Sequence, residues 1–150
     1  AENAYTHVVT GDIRDPRSVI DHPEVRELID FDRPVCVMLC GILHHILDEE
    51  DPNGIVAAFR DVAVSGSYFF ITNFTRLGDA PESVELERVL LSQLGTGRVR
   101  TFEELMAYFD GMELLAPGLV PLPLWRPDGI VPDSTSIAAR FMTGGVARKN

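Results

Sequence analysis

Three short segments of the chain place acidic, imidazole, thiol and amide side chains at the ends of predicted strands. They are Gly11–Asp15, Cys40–His45 and Asn73–Thr75. In open α/β sheets, ligands bind beyond the carboxyl ends of the strands, so these three segments form the candidate site. A carboxylate in such a place can accept hydrogen bonds from a ligand, and an imidazole can act as a general base.

Asp12 is the main candidate for a ligand contact in the first segment. Its carboxylate suits an adenine amino group or a sugar hydroxyl, and the neighbouring Ile13 would lie against the base. The alternative is that Asp12 and Asp15 cap the turn and the helix that follow, as short acids before a helix usually do. Both roles stay open for Asp12, whereas Asp15 is assigned to capping.

The second segment carries His44 and His45. Adjacent histidines point in different directions and no third ligand follows at helical spacing, so the pattern predicts no metal site. Either imidazole suits general base catalysis, but a buried histidine bonded to a backbone carbonyl is an equally expected outcome. Cys40 closes a predicted buried strand, where a cysteine is usually an inert apolar residue. Cys36 lies about 13 Å away along that strand, too far for a disulfide.

The elements that position these segments are short β-branched runs alternating with amphipathic stretches, a pattern typical of an α/β fold. Val35–Cys40 is apolar on both faces, which favours the middle strand of a parallel sheet covered by helices. Tyr5–Thr10 and Tyr68–Thr72 are predicted as further strands. The run Ser136–Val146 is predicted to return antiparallel at the edge of the sheet.

Helices are predicted where a capping residue precedes an apolar stripe. Asp15 and Asp51 each stand directly before a proline, and Thr101 with Glu104 has the spacing of a capping box. A longer helix is predicted to begin at Pro81 and to end at Gly95. The sequence contains no repeat and no linker, so residues 1–150 are expected to form a single domain.

The composition is that of a globular domain, and its charge limits the classes of binding partner that are expected. The chain has 150 residues, of which 45% are hydrophobic, and 23 acidic residues against 13 Lys and Arg give a formal net charge of −10. Nucleic acid and anionic membrane surfaces are therefore not expected partners. The longest apolar stretches are shorter than the roughly 20 residues that span a bilayer, and a cytoplasmic location is expected. The acidic run Asp48–Asp51 is expected to be a solvated loop.

The loop Gly41–Asp48 resembles the segment after the fourth strand of class I S-adenosylmethionine-dependent methyltransferases. The helix, turn and strand that follow also look like that family. Over most of its length the chain is similar to a bacterial family of methyltransferase-like proteins catalogued as a domain of unknown function. The segments that carry this similarity are Asp12–Pro16, His22–Arg26, Leu28–Phe31, Arg33–Val35, Asp51–Pro52, Pro117–Val120 and Leu124–Asp128.

The resemblance implies a class I methyltransferase, Rossmann-like sheet, mostly parallel with an antiparallel C-terminal strand, and an S-adenosylmethionine cofactor. In such enzymes an acid and its apolar neighbour after the third strand meet the adenine, which implies that role for Asp12 and Ile13. The segment leaving the fourth strand lines the methionine side and the substrate entrance. This implies cofactor-binding roles for Cys40, Gly41, Ile42 and His45. No residue is implied as a catalytic base, since many methyltransferases work by positioning the acceptor.

The opening part of the family's fold is not present in this sequence. The only Gly-x-Gly, Gly95–Gly97, follows a predicted helix and so does not match the cofactor loop. In the class I strand order 3-2-1-4-5-7-6, strands one and two separate strand three from strand four, so Tyr5–Thr10 would lack a neighbour. The chain is therefore expected to be the C-terminal portion of the fold, from the third strand onward. Gly41, His45 and Asn73 also depart from the family's usual residues, so the substrate does not carry over.

The favoured function is S-adenosylmethionine-dependent methyl transfer to a small molecule. The alternative is a non-catalytic or degenerate methyltransferase fold that serves as a binding or oligomerisation module, with a homo-oligomer as the candidate assembly. A nicotinamide-dependent oxidoreductase is disfavoured because the sequence shows no Tyr/Lys or Cys/His catalytic pair.

Overall fold

The fold is built around a mixed sheet. The computed structural model describes residues 6–129 and 137–150. The sheet order is β1 (Cys36–Cys40), β2 (Tyr68–Phe74), β5 (Met142–Lys149) and β3 (Met112–Leu114), and the short β4 (Val120–Pro121) also pairs with β5. β1 and β2 are parallel, whereas β5 runs antiparallel to both β2 and β3. This is the 4-5-7-6 half of the expected order, with the predicted antiparallel C-terminal strand.

Six helices lie in the described residues, and their ends follow the local signals in the sequence. They are α1 (Pro16–Ile20), α2 (Pro23–Leu28), α3 (Pro52–Val62), α4 (Pro81–Leu94), α5 (Phe102–Ala107) and α6 (Ile137–Phe141). The Asp15 side chain caps α1 and the Asp51 side chain caps α3. Thr101 and Glu104 form the predicted capping box of α5, and α4 is followed by Gly95 with φ +71°.

One face of the sheet forms the hydrophobic core. Leu39 of β1, Ile71 of β2 and Ala147 of β5 are buried together with Val56 of α3 and Leu105 of α5. The register pairs Cys40 with Thr72, so the carboxyl ends of β1 and β2 lie side by side. The core therefore fixes the edge of the sheet at which the candidate segments emerge.

The other face of the sheet is open at β1, contrary to the sequence-based expectation. Among the described residues β1 is an edge strand, and Met38 on its second face is 62% exposed. The prediction of a middle strand is wrong for the described residues, because no described strand pairs with the outer edge of β1, and the exposure of Met38 shows that the second face is not buried. The predicted strand Tyr5–Thr10 is also wrong for residues 6–10, which have no strand partner for their backbone groups. Tyr5 lies outside the described residues.

The C-terminal strand lies inside the sheet rather than at its edge. β5 is flanked by β2 and β3 and begins only at Met142, after α6. A Cβ at Gly144 would stand 2.6 Å from Leu122 Cδ2, and one at Gly145 would stand 3.2 Å from Leu114 Cδ1. The two glycines thus permit close packing on both faces of this strand. Ser136, where the predicted strand begins, is outside the described residues.

No helix in residues 6–129 and 137–150 combines the length and the apolar character needed to cross a membrane.

Candidate functional site

A cleft of about 450 Å³ lies beyond the carboxyl end of β1. Its lining residues are Gly11, Asp12, Ile13, Arg14, Ile42, His45, Ile46 and Thr96. Four of the six residues predicted for cofactor binding, Asp12, Ile13, Ile42 and His45, therefore meet at one cleft. The remaining two, Cys40 and Gly41, precede Ile42 in the chain and do not line the cleft.

Gly41 makes the turn by which the chain leaves β1 for the cleft. Its N–H donates to Thr72 Oγ1 at 2.9 Å, and its φ of +63° lies in the left-handed region that favours glycine. A 3₁₀ turn, Leu43–His45, follows at once. Cys40 is exposed at the end of β1, so the expectation of a buried apolar thiol is wrong. The cause is the open second face of the strand.

Asp12 forms an exposed ion pair with Arg14. Its carboxylate accepts from the Arg14 backbone N–H at 3.0 Å and from the guanidinium Nη2 at 2.6 Å. The hydrogen bonds from the Arg14 side chain lower the pKa of Asp12 to about 2, so the carboxylate is ionised and acts only as an acceptor. The backbone bond is the turn-capping role of the alternative interpretation, but the same carboxylate also lines the cleft.

Arg14 also connects the two sides of the cleft. Its Nη1 lies 3.3 Å from Glu50 Oε1, in the second 3₁₀ turn, Asp48–Glu50. The Arg14 side chain is 54% exposed, so this is a solvated pair.

His45 and Thr96 form a polar pair at the cleft. His45 Nδ1 lies 3.0 Å from Thr96 Oγ1, which leaves Nε2 as the second hydrogen-bonding atom of the ring. Thr96 belongs to the Gly95–Gly97 segment that the sequence analysis set aside because it follows a helix. That segment contributes a side chain to the cleft, and sequence reasoning missed it because 51 positions separate Thr96 from His45.

His44 differs from its neighbour because it is buried. It is 5% exposed, and its ring centroid lies 4.5 Å from that of Phe74. Burial, followed by the nearby charge of His45, lowers the pKa of His44 to about 4. Its Nδ1 has no hydrogen-bond partner in the described part of the chain. The histidine pair is thus divided into a neutral packing residue and a cleft residue.

The third candidate segment does not reach the cleft. Asn73 and Thr75 are buried at the end of β2, and neither lines the cleft.

The acidic run Asp48–Asp51 is more than a solvated loop, because Asp48 Oδ1 lies 3.0 Å from Nη2 of the buried Arg100. Within residues 6–129 and 137–150, no group of three or more His, Cys, Asp and Glu side chains is placed to hold a metal ion.

The strand order matches the 4-5-7-6 part of the class I methyltransferase fold, and the cleft lies beyond the carboxyl end of its parallel strands, where ligands bind in open α/β sheets. The sequence matches the family model described as S-adenosyl methyltransferase over residues 1–150, and the chain belongs to this family. The match confirms an S-adenosylmethionine-dependent enzyme family and its cofactor as the sequence analysis expected. No curated protein matches the chain.

Solved structures agree with this assignment. A DUF574 family protein from Streptomyces avermitilis is 35% identical with a TM-score of 0.88, over 95% of this chain and 54% of that chain. A candidate methyltransferase from Thermobifida fusca is 39% identical with a TM-score of 0.88, over 95% of this chain and 53% of that chain. An O-methyltransferase family 2 protein from Planctomyces limnophilus, in complex with apigenin, shares the fold at 17% identity, with a TM-score of 0.55 over 89% of this chain and 38% of that chain. The chain thus spans about half the length of the first two relatives.

Proposed function

We propose that this chain supplies the adenine side and the substrate side of a cytoplasmic S-adenosylmethionine-dependent methyltransferase that acts on a small molecule. The observation that carries the proposal is the meeting of Asp12 and Ile13 with Ile42 and His45 at one cleft. These residues come from two segments about 30 positions apart in sequence, and the resemblance implied a cofactor role for each of them.

The chemistry of the cleft suits an adenine ring. Ile13 and Ile42 offer apolar surface against which the ring can lie, and the ionised Asp12 accepts from its exocyclic amino group. The Asp12 carboxylate already accepts four hydrogen bonds from Arg14, two at each oxygen, so the amino group of the ligand would share these acceptors with Arg14. His45 supplies a second polar group through Nε2.

Methyl transfer then depends on positioning. The methyl donor carries its reactive methyl group on a sulfonium, and Cys40 and Gly41 are the residues proposed to lie on its methionine side. No side chain is assigned as a base, because holding an acceptor atom in line with the methyl group supplies much of the rate. The formal net charge of −10 disfavours nucleic acid as the acceptor and leaves a small molecule as the proposed substrate.

The proposal is tested by calorimetric titration of the full-length protein with S-adenosylmethionine and S-adenosylhomocysteine. Asp12→Asn is expected to weaken binding about 10-fold, because the hydrogen bond to the ligand loses its charged acceptor. Asp21→Asn is the matched control, since Asp21 forms a similar exposed pair with Arg26 away from the cleft. If the wild-type protein gives no binding heat with S-adenosylmethionine and none with S-adenosylhomocysteine, the proposal is refuted.

A second candidate function is a non-catalytic module of the same fold. The observation in its favour is that Cys40 and Gly41, the residues expected on the methionine side of the cofactor, do not line the cleft in the described residues. A full-length protein that forms stable homo-oligomers in sedimentation experiments, but binds neither cofactor form, would support this alternative.

A further inference from the structure

The loop Gly41–Asp48, called here the cleft loop, is held by one buried guanidinium. Arg100 lies between α4 and α5 and is 2% exposed. It donates from Nη1 to the Leu43 carbonyl at 3.2 Å and from Nη2 to the Ile46 carbonyl at 2.9 Å. Nη2 also donates to Asp48 Oδ1 at 3.0 Å. A single side chain thus binds the cleft loop at three successive points.

Arg100 is itself anchored to the sheet. Its backbone N–H donates to the Phe74 carbonyl at 3.3 Å, and its own carbonyl accepts from Arg76 N–H at 2.7 Å. The segment before it adds two further bonds to the cleft loop. Arg98 N–H donates to the His44 carbonyl at 2.7 Å, and Thr96 binds His45. Arg100 therefore links the end of β2 to the loop that lines the cleft.

The acceptors show what this contact controls. Two of the three are main-chain carbonyls of the cleft loop, so Arg100 sets the path of the backbone. Leu43 is fully buried, so its side chain also anchors the start of the 3₁₀ turn in the core. All three acceptors of the guanidinium lie between Leu43 and Asp48, and this stretch contains the cleft residues His45 and Ile46.

Burying a guanidinium is costly unless its donors are satisfied. Removing it would take a donor from the Ile46 carbonyl, whereas the Leu43 carbonyl would keep its bond from the Ile46 N–H at 3.2 Å. Asp48 supplies a compensating charge, although the side chain of Asp48 is 57% exposed. An isolated exposed ion pair would contribute little to the stability of the loop. The buried Arg100 guanidinium instead donates three hydrogen bonds at once.

We propose that Arg100 is a positioning residue of the cofactor cleft. It holds His45 and Ile46 opposite Asp12 and Ile13, and it touches no ligand itself because it does not line the cleft. The inference rests on the proposed function, in that the ligand positioned is the adenine end of the methyl donor. It extends that function by assigning a share of the ligand affinity to a buried residue that is remote in sequence from Asp12 and Ile13 and from His45 and Ile46.

The test compares Arg100→Met and Arg100→Lys with wild type in the full-length protein. Calorimetry with S-adenosylhomocysteine gives affinity, and hydrogen exchange of the His45 and Ile46 amides gives the order of the cleft loop. Arg100→Met is expected to weaken binding about 10-fold and to speed exchange in the loop well below the melting temperature. Arg100→Lys is expected to give a smaller loss, since an ammonium keeps the charge without the fork.

Lys149→Met is the matched control. Lys149 Nζ also donates to two main-chain carbonyls, those of Arg60 at 2.8 Å and Ala63 at 2.7 Å, but it lies away from the cleft. This variant is expected to lower the melting temperature and to leave affinity within about 2-fold of wild type.

Unchanged affinity and unchanged exchange in Arg100→Met would overturn the inference. A lower melting temperature with wild-type affinity would also overturn it, because the role would then be structural only. If Arg100→Met does not fold, the same measurements on Arg100→Lys decide. If wild-type protein binds no S-adenosylhomocysteine, the proposed function fails, and the exchange measurement alone decides whether Arg100 orders the loop.

Discussion

The two sides of the cleft are held in opposite ways. Gly11–Arg14 is fixed by the exposed pair of Asp12 and Arg14, two positions apart in sequence. The cleft loop is fixed by the buried Arg100 and by the fully buried Leu43. Exposed pairs are weak and screened by salt, whereas buried contacts resist both solvent and motion. Gly11–Arg14 is therefore the adaptable wall of the cleft, and the cleft loop is its rigid wall.

The largest expected effect contrasts apolar residues from the two walls. Leu43→Ala removes a fully buried side chain and is expected to lower the free energy of unfolding by about 2–5 kcal/mol. Ile13→Ala, at a half-buried position, is expected to cost about 1 kcal/mol or less, because less apolar surface is lost. Urea unfolding of both variants measures the difference. Equal losses would show that the two walls are equally anchored.

His44 makes the rigid wall sensitive to acid. Its pKa is about 4 in the folded protein against 6.5 ordinarily, so below pH 6.5 the unfolded state binds more protons. The stabilisation that neutral His44 gives to the folded state is therefore complete above pH 6.5 and is lost as the pH falls toward 4. Between pH 7 and pH 5 the free energy of unfolding is expected to fall by about 2 kcal/mol through this group. Unfolding of wild type and His44→Gln at both pH values measures it, and an identical pH slope in the two would contradict the assignment.

Gly41 tests the point at which the rigid wall begins. Gly41→Ala and Gly78→Ala both introduce a Cβ at positive φ, +63° and +58°, without a close contact. Each is expected to cost about 1–2 kcal/mol of stability from backbone strain alone. Only Gly41→Ala is expected to weaken S-adenosylhomocysteine binding, since Gly41 directs the chain from β1 into the cleft loop. Matching affinities in calorimetry would remove Gly41 from the site.

The same contrast explains what the sequence could predict. The caps at Asp15 and Asp51 and the capping box at Thr101 depend on neighbours within a few positions, and all three are confirmed. The family resemblance implied cofactor roles for Asp12, Ile13, Ile42 and His45, and these side chains line one cleft although residues 6–10 form no strand.

The missed features depend on distant parts of the chain. The bonds from Arg100 to Leu43 and Ile46 span 57 and 54 positions, and no local spacing announces them. Whether Val35–Cys40 is a middle or an edge strand depends on which strands flank it, and its apolar character does not settle that. Local physics thus predicted the ends of the elements and the resemblance implied the residues of the adaptable wall, whereas the rigid wall arises from tertiary contacts.

The smallest expected effect concerns the contact that joins the two walls. Glu50→Gln removes the charge that faces Arg14 at 3.3 Å, and the amide oxygen can still accept from the Leu47 N–H. Because the pair is solvated, the melting temperature is expected to change by less than about 2 °C and affinity for S-adenosylhomocysteine by less than about 3-fold. Glu85→Gln, which breaks an exposed pair with Arg88 on α4, is the matched control. A loss of affinity as large as that of Arg100→Met would mean that an exposed contact fixes the cleft as firmly as the buried one, and the contrast between the walls would fail.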